Sequence, residues 1–88
     1  MLRPKIAVLV SGGGTNLQAL IDARDAGTLS SGELALVVSN VEGAYALRRA
    51  EAAGIENMTI LSRGRRAQFE QELIRALSAR GIDLIVLA

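Results

Sequence analysis

The residues best suited to chemistry are Ser11-Gly12-Gly13-Gly14-Thr15-Asn16, between an apolar run ending at Val10 and a helical pattern that takes hold at Leu17. Glycines carry no Cβ, so Gly12, Gly13 and Gly14 can take left-handed conformations and let a ligand touch bare main chain. Two glycines usually suffice for a turn, and a third points to close approach by something. Thr15 or Asn16 is expected to supply the N-cap side chain. The first N–H groups of the helix then lack intrahelical partners, and together with the positive end of the helix dipole they favour an anion such as phosphate.

What is missing narrows the kind of phosphate. A P-loop requires Gly-Lys followed by Ser or Thr, and the only lysine is Lys5, upstream of the loop. A dinucleotide fingerprint requires glycine where Leu17 stands and an acid at the end of the second strand, where the chain has Ser39-Asn40. A phosphate monoester on a small metabolite therefore fits better than ATP or NAD. The chain contains no cysteine and no histidine, which removes thiolate zinc sites, cysteine nucleophiles and the commonest general base. Proton transfer would fall to carboxylates or to another segment.

Ten basic residues stand against nine acidic ones, for a net charge of +1. The single local cluster, Arg63, Arg65 and Arg66, is too small for a nucleic-acid footprint, and two aromatic residues cannot build a stacking platform. The longest apolar runs are only strand-length, so no membrane span is expected. The apolar stretch behind Met1-Leu2-Arg3-Pro4-Lys5 runs straight into the glycine loop, as in a first strand rather than a signal peptide. Neither nucleic acid nor membrane is expected as a partner.

The loop must be positioned by the elements around it. Lys5 to Ser11 reads as a strand of a parallel sheet covered on both faces. Leu17, Leu20, Ile21 and Ala23 recur at helical spacing, with Gln18, Asp22, Arg24 and Asp25 opposite, and Gly27 ends that helix. Glu33 to Ser39 reads as a second buried strand, closing a right-handed βαβ unit. An alanine-rich helix follows over about Ala44 to Ala53, with Leu47 as its main anchor and small side chains that allow close packing, and Gly54 stops it.

Asn57 to Leu61 is a short third strand and Ser62 to Arg65 a charged loop. The longest helix spans Arg66 to Arg80, with Phe69, Leu73, Ala76 and Leu77 inward and Gln68, Glu70, Gln71, Arg75 and Arg80 outside. Leu84-Ile85-Val86-Leu87 has the composition of a buried central strand, yet it is expected to be left without a covering or pairing element. The alternation β1-α1-β2-α2-β3-α3-β4 predicts an α/β, Rossmann-like doubly wound parallel sheet of order 3-2-1-4, read as the first half of a larger, here incomplete domain. The loop after the first strand sits at the crevice where strand order reverses, the usual ligand position in such sheets.

Several of these stretches together resemble the phosphoribosylglycinamide formyltransferases: Ser11 to Gln18, Val38-Ser39-Asn40, Ala44 to Ala50 with Leu47 and Arg49-Ala50, Ala53-Gly54-Ile55, and Asp83 before Val86-Leu87-Ala88. The similarity covers essentially residues 1–88 and corresponds to the N-terminal, phosphate-binding half of that domain. It implies transfer of a formyl group from formyltetrahydrofolate, as co-substrate and without a metal, to glycinamide ribonucleotide in purine biosynthesis, in the cytoplasm. Gly12, Gly13, Gly14, Thr15 and Asn16 match the family's phosphate loop, and Arg66 best matches an arginine that contacts the folate. The family's folate-binding loop and its catalytic asparagine, histidine and aspartate lie beyond the matching segment. The resemblance thus implies a partner, the C-terminal half of the domain or another chain, without which these residues are inactive. The alternatives are a phosphate-ester binding module without chemistry, or an assembly fragment pairing through the edge of Leu84 to Leu87.

Overall fold

The computed structural model describes residues 3–88. Its first strand, β1 (Lys5–Val10), sends Ile6, Val8 and Val10 to one face of the sheet and Ala7 and Leu9 to the other. Both faces are covered, which is why the run is apolar without alternation. Helix α1 (Thr15–Asp25) follows the glycine loop, and β2 (Glu33–Ser39) returns parallel to β1. Helix α2 (Tyr45–Ala52), strand β3 (Asn57–Thr59), helix α3 (Arg66–Ala79) and strand β4 (Leu84–Leu87) complete the order. The sheet is wholly parallel with strand order β3-β2-β1-β4, as the sequence predicts.

Helices α1 and α2 cover one face, placing Leu17, Ile21, Ala46 and Ala50 against Ile6, Val8, Val10 and Val37. Helix α3 covers the other, where Phe69, Leu73, Ala76 and Leu77 pack on Ala7, Leu36, Val38 and Ile60. The β1–β2 register steps from Ile6↔Leu34 to Ala7↔Leu36, passing over Ala35. That extra residue places Leu34 and Leu36 on opposite faces despite their even spacing.

Three expectations are corrected. Neither Thr15 nor Asn16 caps α1: the N-cap is Gly14, with φ 80° and no side-chain cap hydrogen bond. Leu47 is only half-buried, and the anchors of α2 are the fully buried Ala46 and Ala50, because short side chains bring this helix down onto the sheet and the loop. Arg80 is not on the outer face of α3. It is half-buried, donating to Glu56 Oε2 at 2.6 Å and to the Ala76 carbonyl at 2.9 Å, so it ties the end of α3 to the start of β3. Strand β4 is left uncovered despite its apolar composition, as the sequence predicts, with Leu84, Ile85 and Leu87 42%, 47% and 79% exposed.

The start of β4 is fixed to β1 by a reciprocal pair. Asp83 accepts the Lys5 N–H through Oδ2 at 2.9 Å and donates its own N–H to the Lys5 carbonyl at 2.8 Å. At the other end the Ala88 N–H reaches the Leu9 carbonyl at 3.0 Å. The carboxyl ends of β1 and β4 therefore open side by side beneath the glycine loop.

Candidate functional site

The three glycines of the loop are not equivalent. Gly14 has a positive φ, and a Cβ built on it would lie 2.6 Å from the Cβ of Ala46 and 2.8 Å from its Cα. Glycine is required there by the close approach of α2. Gly12 and Gly13 show neither condition: their φ angles are not positive, and a Cβ on either would meet nothing within 4 Å. Both are exposed. No contact or backbone angle among the described residues accounts for their lack of a side chain.

The loop's carbonyls are tied back to the helices. Gly12 O accepts the N–H of Ala46 at 3.2 Å, Gly13 O accepts Nε of Arg49 at 2.7 Å, and Gly14 O accepts the N–H of Gln18 at 2.8 Å. In a trans peptide the N–H points opposite to the carbonyl of the same unit. The amides of Gly13 and Gly14 are therefore turned away from α2. Thr15, Asn16 and Leu17, in the first turn of α1, have no preceding carbonyl within the helix to donate to. None of these five N–H groups has a protein acceptor among the described residues.

The electrostatics of this cluster suit an anion. The first turn of α1 carries no acidic side chain, the helix dipole places partial positive charge there, and the Arg49 guanidinium lies against Gly13. Thr15 and Asn16 are exposed beside the open amides, within reach of a ligand in the loop. Five of the predicted site residues are thus brought together.

Arg66 is placed apart from them. It stands at the first position of α3 with a side chain 92% exposed, paired with Glu70 at 3.2 Å. It does not line the hollow of about 260 Å³ that opens at the carboxyl ends of β1, β2 and β4. Ser11 and Asn40 are polar residues of that hollow, and Leu9, Val38, Phe69 and Leu87 form much of its apolar wall.

Ser39 and Asn40 shape the far side of the crevice. The Ser39 hydroxyl, fully buried, donates to the Val41 carbonyl at 2.7 Å and accepts the Val41 N–H at 3.1 Å. Asn40 donates from Nδ2 to Ser62 Oγ at 3.0 Å, joining the end of β2 to the loop before α3, while its buried Oδ1 has no partner among the described residues. The perturbed ionisable pair lies at the opposite end of the sheet. There the hydrogen bond from Arg80 holds the Glu56 carboxyl below the usual glutamate range and raises the Arg80 guanidinium. That pair joins two elements and faces no part of the loop.

Sequence reasoning did not single out Ala46, Arg49 or Gln18 as parts of the site. A signal was present in the spacing: Tyr45, Ala46 and Arg49 lie within one turn on α2, so a small residue and a cation recur on a shared face. Nothing in the sequence alone placed that face against the glycine loop.

Comparison with known proteins identifies the family and the fold. A family model described as Formyl transferase matches residues 4–88. The trifunctional purine biosynthetic protein adenosine-3 of Drosophila melanogaster is 45% identical over 89 residues, covering 98% of this chain and 7% of that protein. The phosphoribosylglycinamide formyltransferase of Escherichia coli is 39% identical over 85 residues, covering 94% of this chain and 40% of that protein. The structure of glycinamide ribonucleotide transformylase 1 from Geobacillus kaustophilus superposes with a TM-score of 0.90 at 36% identity, covering 97% of this chain and 46% of that one. The chain spans less than half the length of each of these relatives. With its parallel sheet, its open glycine loop and a family match over nearly every residue, the chain belongs to the formyl transferase family.

Proposed function

We propose that this chain takes part in the transfer of a formyl group from formyltetrahydrofolate to the amine of glycinamide ribonucleotide in purine biosynthesis, and that its glycine loop holds the phosphate of that acceptor. The observation that carries the reading is the freedom of Gly12 and Gly13 from any internal requirement, beside five amides that lack acceptors among the described residues. A side chain at either glycine would stand where an anion must approach the main chain. Formyl transfer joins the acceptor nitrogen to the formyl carbon and releases tetrahydrofolate, with one proton passing from the acceptor amine to the departing nitrogen.

The chain's own part in this is placement. Holding the phosphate at the N-terminus of α1 orients the rest of the nucleotide across the carboxyl ends of β1 and β4, where binding energy far from the reacting atoms is used to position them. Arg66 is assigned to the folate, since its surface pair with Glu70 is worth little and yields readily to a ligand. With no histidine in the chain, the groups that protonate the intermediate are assigned to a segment or chain outside these residues.

Titration with ribose 5-phosphate, followed by amide resonances, tests the loop. Shifts centred on Gly12 to Leu17 are expected, and no shift at millimolar ligand overturns the reading. Turnover tests the division of labour: the 88 residues should show none alone and gain it when joined to the remainder of a family domain. Turnover by the 88 residues alone would reject that division.

A further inference from the structure

The glycine loop does not hold its own shape. The Gly12 and Gly13 carbonyls are gripped from α2, that of Gly13 by one side chain, Arg49, whose Nε lies 2.7 Å away. The same guanidinium donates from Nη1 to Gln18 Oε1 at 3.2 Å and lies 4.9 Å from the centre of the Tyr45 ring. Gln18 is in turn oriented by its Nε2 donating to Asp22 Oδ1 at 2.9 Å, so its oxygen faces Arg49. A planar fork with two directed hydrogen bonds and a stacked face has little freedom left.

From this arrangement we infer that Arg49 is the positioning residue of the phosphate loop: by holding the Gly13 carbonyl toward α2 it aims the Gly14 amide at the ligand. The reasoning is geometric. The Gly13 carbonyl and the Gly14 N–H belong to one trans peptide and point in opposite directions. If the Gly13 carbonyl were released, the peptide could rotate and present an oxygen to the phosphate in place of an N–H. Among the described residues no second hydrogen bond to the Gly13 carbonyl or from the Gly14 N–H opposes that rotation. The neighbouring peptide is held independently, because Gly12 O is bound by the Ala46 backbone, which no side-chain change removes.

This role rests on the phosphate-loop reading and is separable from it. A lysine at this position keeps the charge but has no fork, so it cannot bond Gly13 O and Gln18 Oε1 in the same plane. Arg49→Lys and Arg49→Met are compared with the wild-type chain by titrating ribose 5-phosphate and inorganic phosphate at low and high salt, with amide resonances read before and after ligand. The expected result is affinity lower by about tenfold in both variants, from lost preorganisation, with a ratio to wild type that persists at high salt. The Gly14 amide should already be shifted in the ligand-free variants. Full affinity in Arg49→Lys would overturn the inference, because charge alone would then suffice. If Arg49→Met does not fold, Arg49→Lys carries the test together with Gln18→Leu, which frees one side of the guanidinium and should weaken binding less. If wild type binds neither probe, the phosphate reading fails. Arg49 is then judged on the ligand-free spectra, where an unshifted Gly14 amide in Arg49→Lys rejects the positioning role as well.

Discussion

Gly14 and Ala46 are in such close contact that a methyl group on the glycine would sit 2.6 Å from the methyl group of the alanine. The third glycine of the loop is required by α2, whereas among the described residues neither a positive φ nor a steric contact requires glycine at the first two. Structural and ligand-facing requirements are thus separated along three consecutive residues. Substitution should reveal the split.

Gly14→Ala combines a left-handed backbone with a steric clash. The first costs about 1–2 kcal/mol for a residue with a Cβ, and forcing bulk into a packed site costs about 1–3 kcal/mol more. Urea unfolding is expected to show a loss of about 2–5 kcal/mol. Gly12→Ala and Gly13→Ala should stay within about 0.5 kcal/mol of wild type, as exposed changes without contacts do, yet weaken ribose 5-phosphate binding. Equal destabilisation by all three would remove the distinction.

Ala46→Leu attacks the same contact from α2. Ala46 is fully buried, so the added carbons have no room unless the helix lifts from the loop, at a cost of about 1–3 kcal/mol. Lifting α2 also draws the Ala46 N–H away from Gly12 O. Calorimetric melting should therefore fall together with a change in the Gly13 amide resonance. A lower melting temperature with that resonance unmoved would show that the loop keeps its shape without α2.

The parts of this molecule that the sequence made legible are those governed by local pattern. Val8 and Val37 face α1 and α2 while Ala7, Leu36 and Val38 face α3, and burial on both sides left unbroken apolar runs that read directly as strands. The misread features depend on distant neighbours. Polar Thr15 and Asn16 follow the rule for a capped helix start, but contact between Gly14 and Ala46 puts the glycine at the cap instead. Arg80 follows the polar stripe of α3, and only the folded chain brings Glu56 within reach. Arg49 went unnoticed as part of the site for the same reason, since its partners Gly13 and Gln18 are far from it in sequence.

The Glu56–Arg80 pair predicts a pH dependence of stability. The hydrogen bond from Arg80 lowers the Glu56 pKa in the folded state, so the folded protein releases this proton more readily than the unfolded chain. The stabilisation is therefore complete above the ordinary glutamate range and is lost as pH falls through the lower, folded value. Glu56 is half exposed, so the pair contributes only about 0.2–1 kcal/mol. Glu56→Gln should reduce stability by that amount at neutral pH and flatten the acid limb of the stability curve. Arg80→Ala should cost more, because the bond to the Ala76 carbonyl at the end of α3 goes with it. An acid limb unchanged in Glu56→Gln would assign the pH dependence elsewhere.

Ser39 governs the far wall of the crevice through two hydrogen bonds made by one hydroxyl. It is fully buried and serves both the carbonyl and the N–H of Val41, fixing the turn that leaves β2. Asn40, the next residue, spans from that turn to Ser62 and shares the hollow with Ser11. Ser39→Ala removes two hydrogen bonds to the part-buried backbone of Val41, at about 0.5–1.5 kcal/mol each. The expected outcome is a loss of that size in urea unfolding, with displaced resonances for the Asn40 side-chain amide and for Ser62. Binding of ribose 5-phosphate should change little, because the loop is held from α2 and not from β2. A large loss of phosphate affinity in a stably folded Ser39→Ala would mean that the two walls of the crevice are coupled, and that the loop depends on more than the residues of α2.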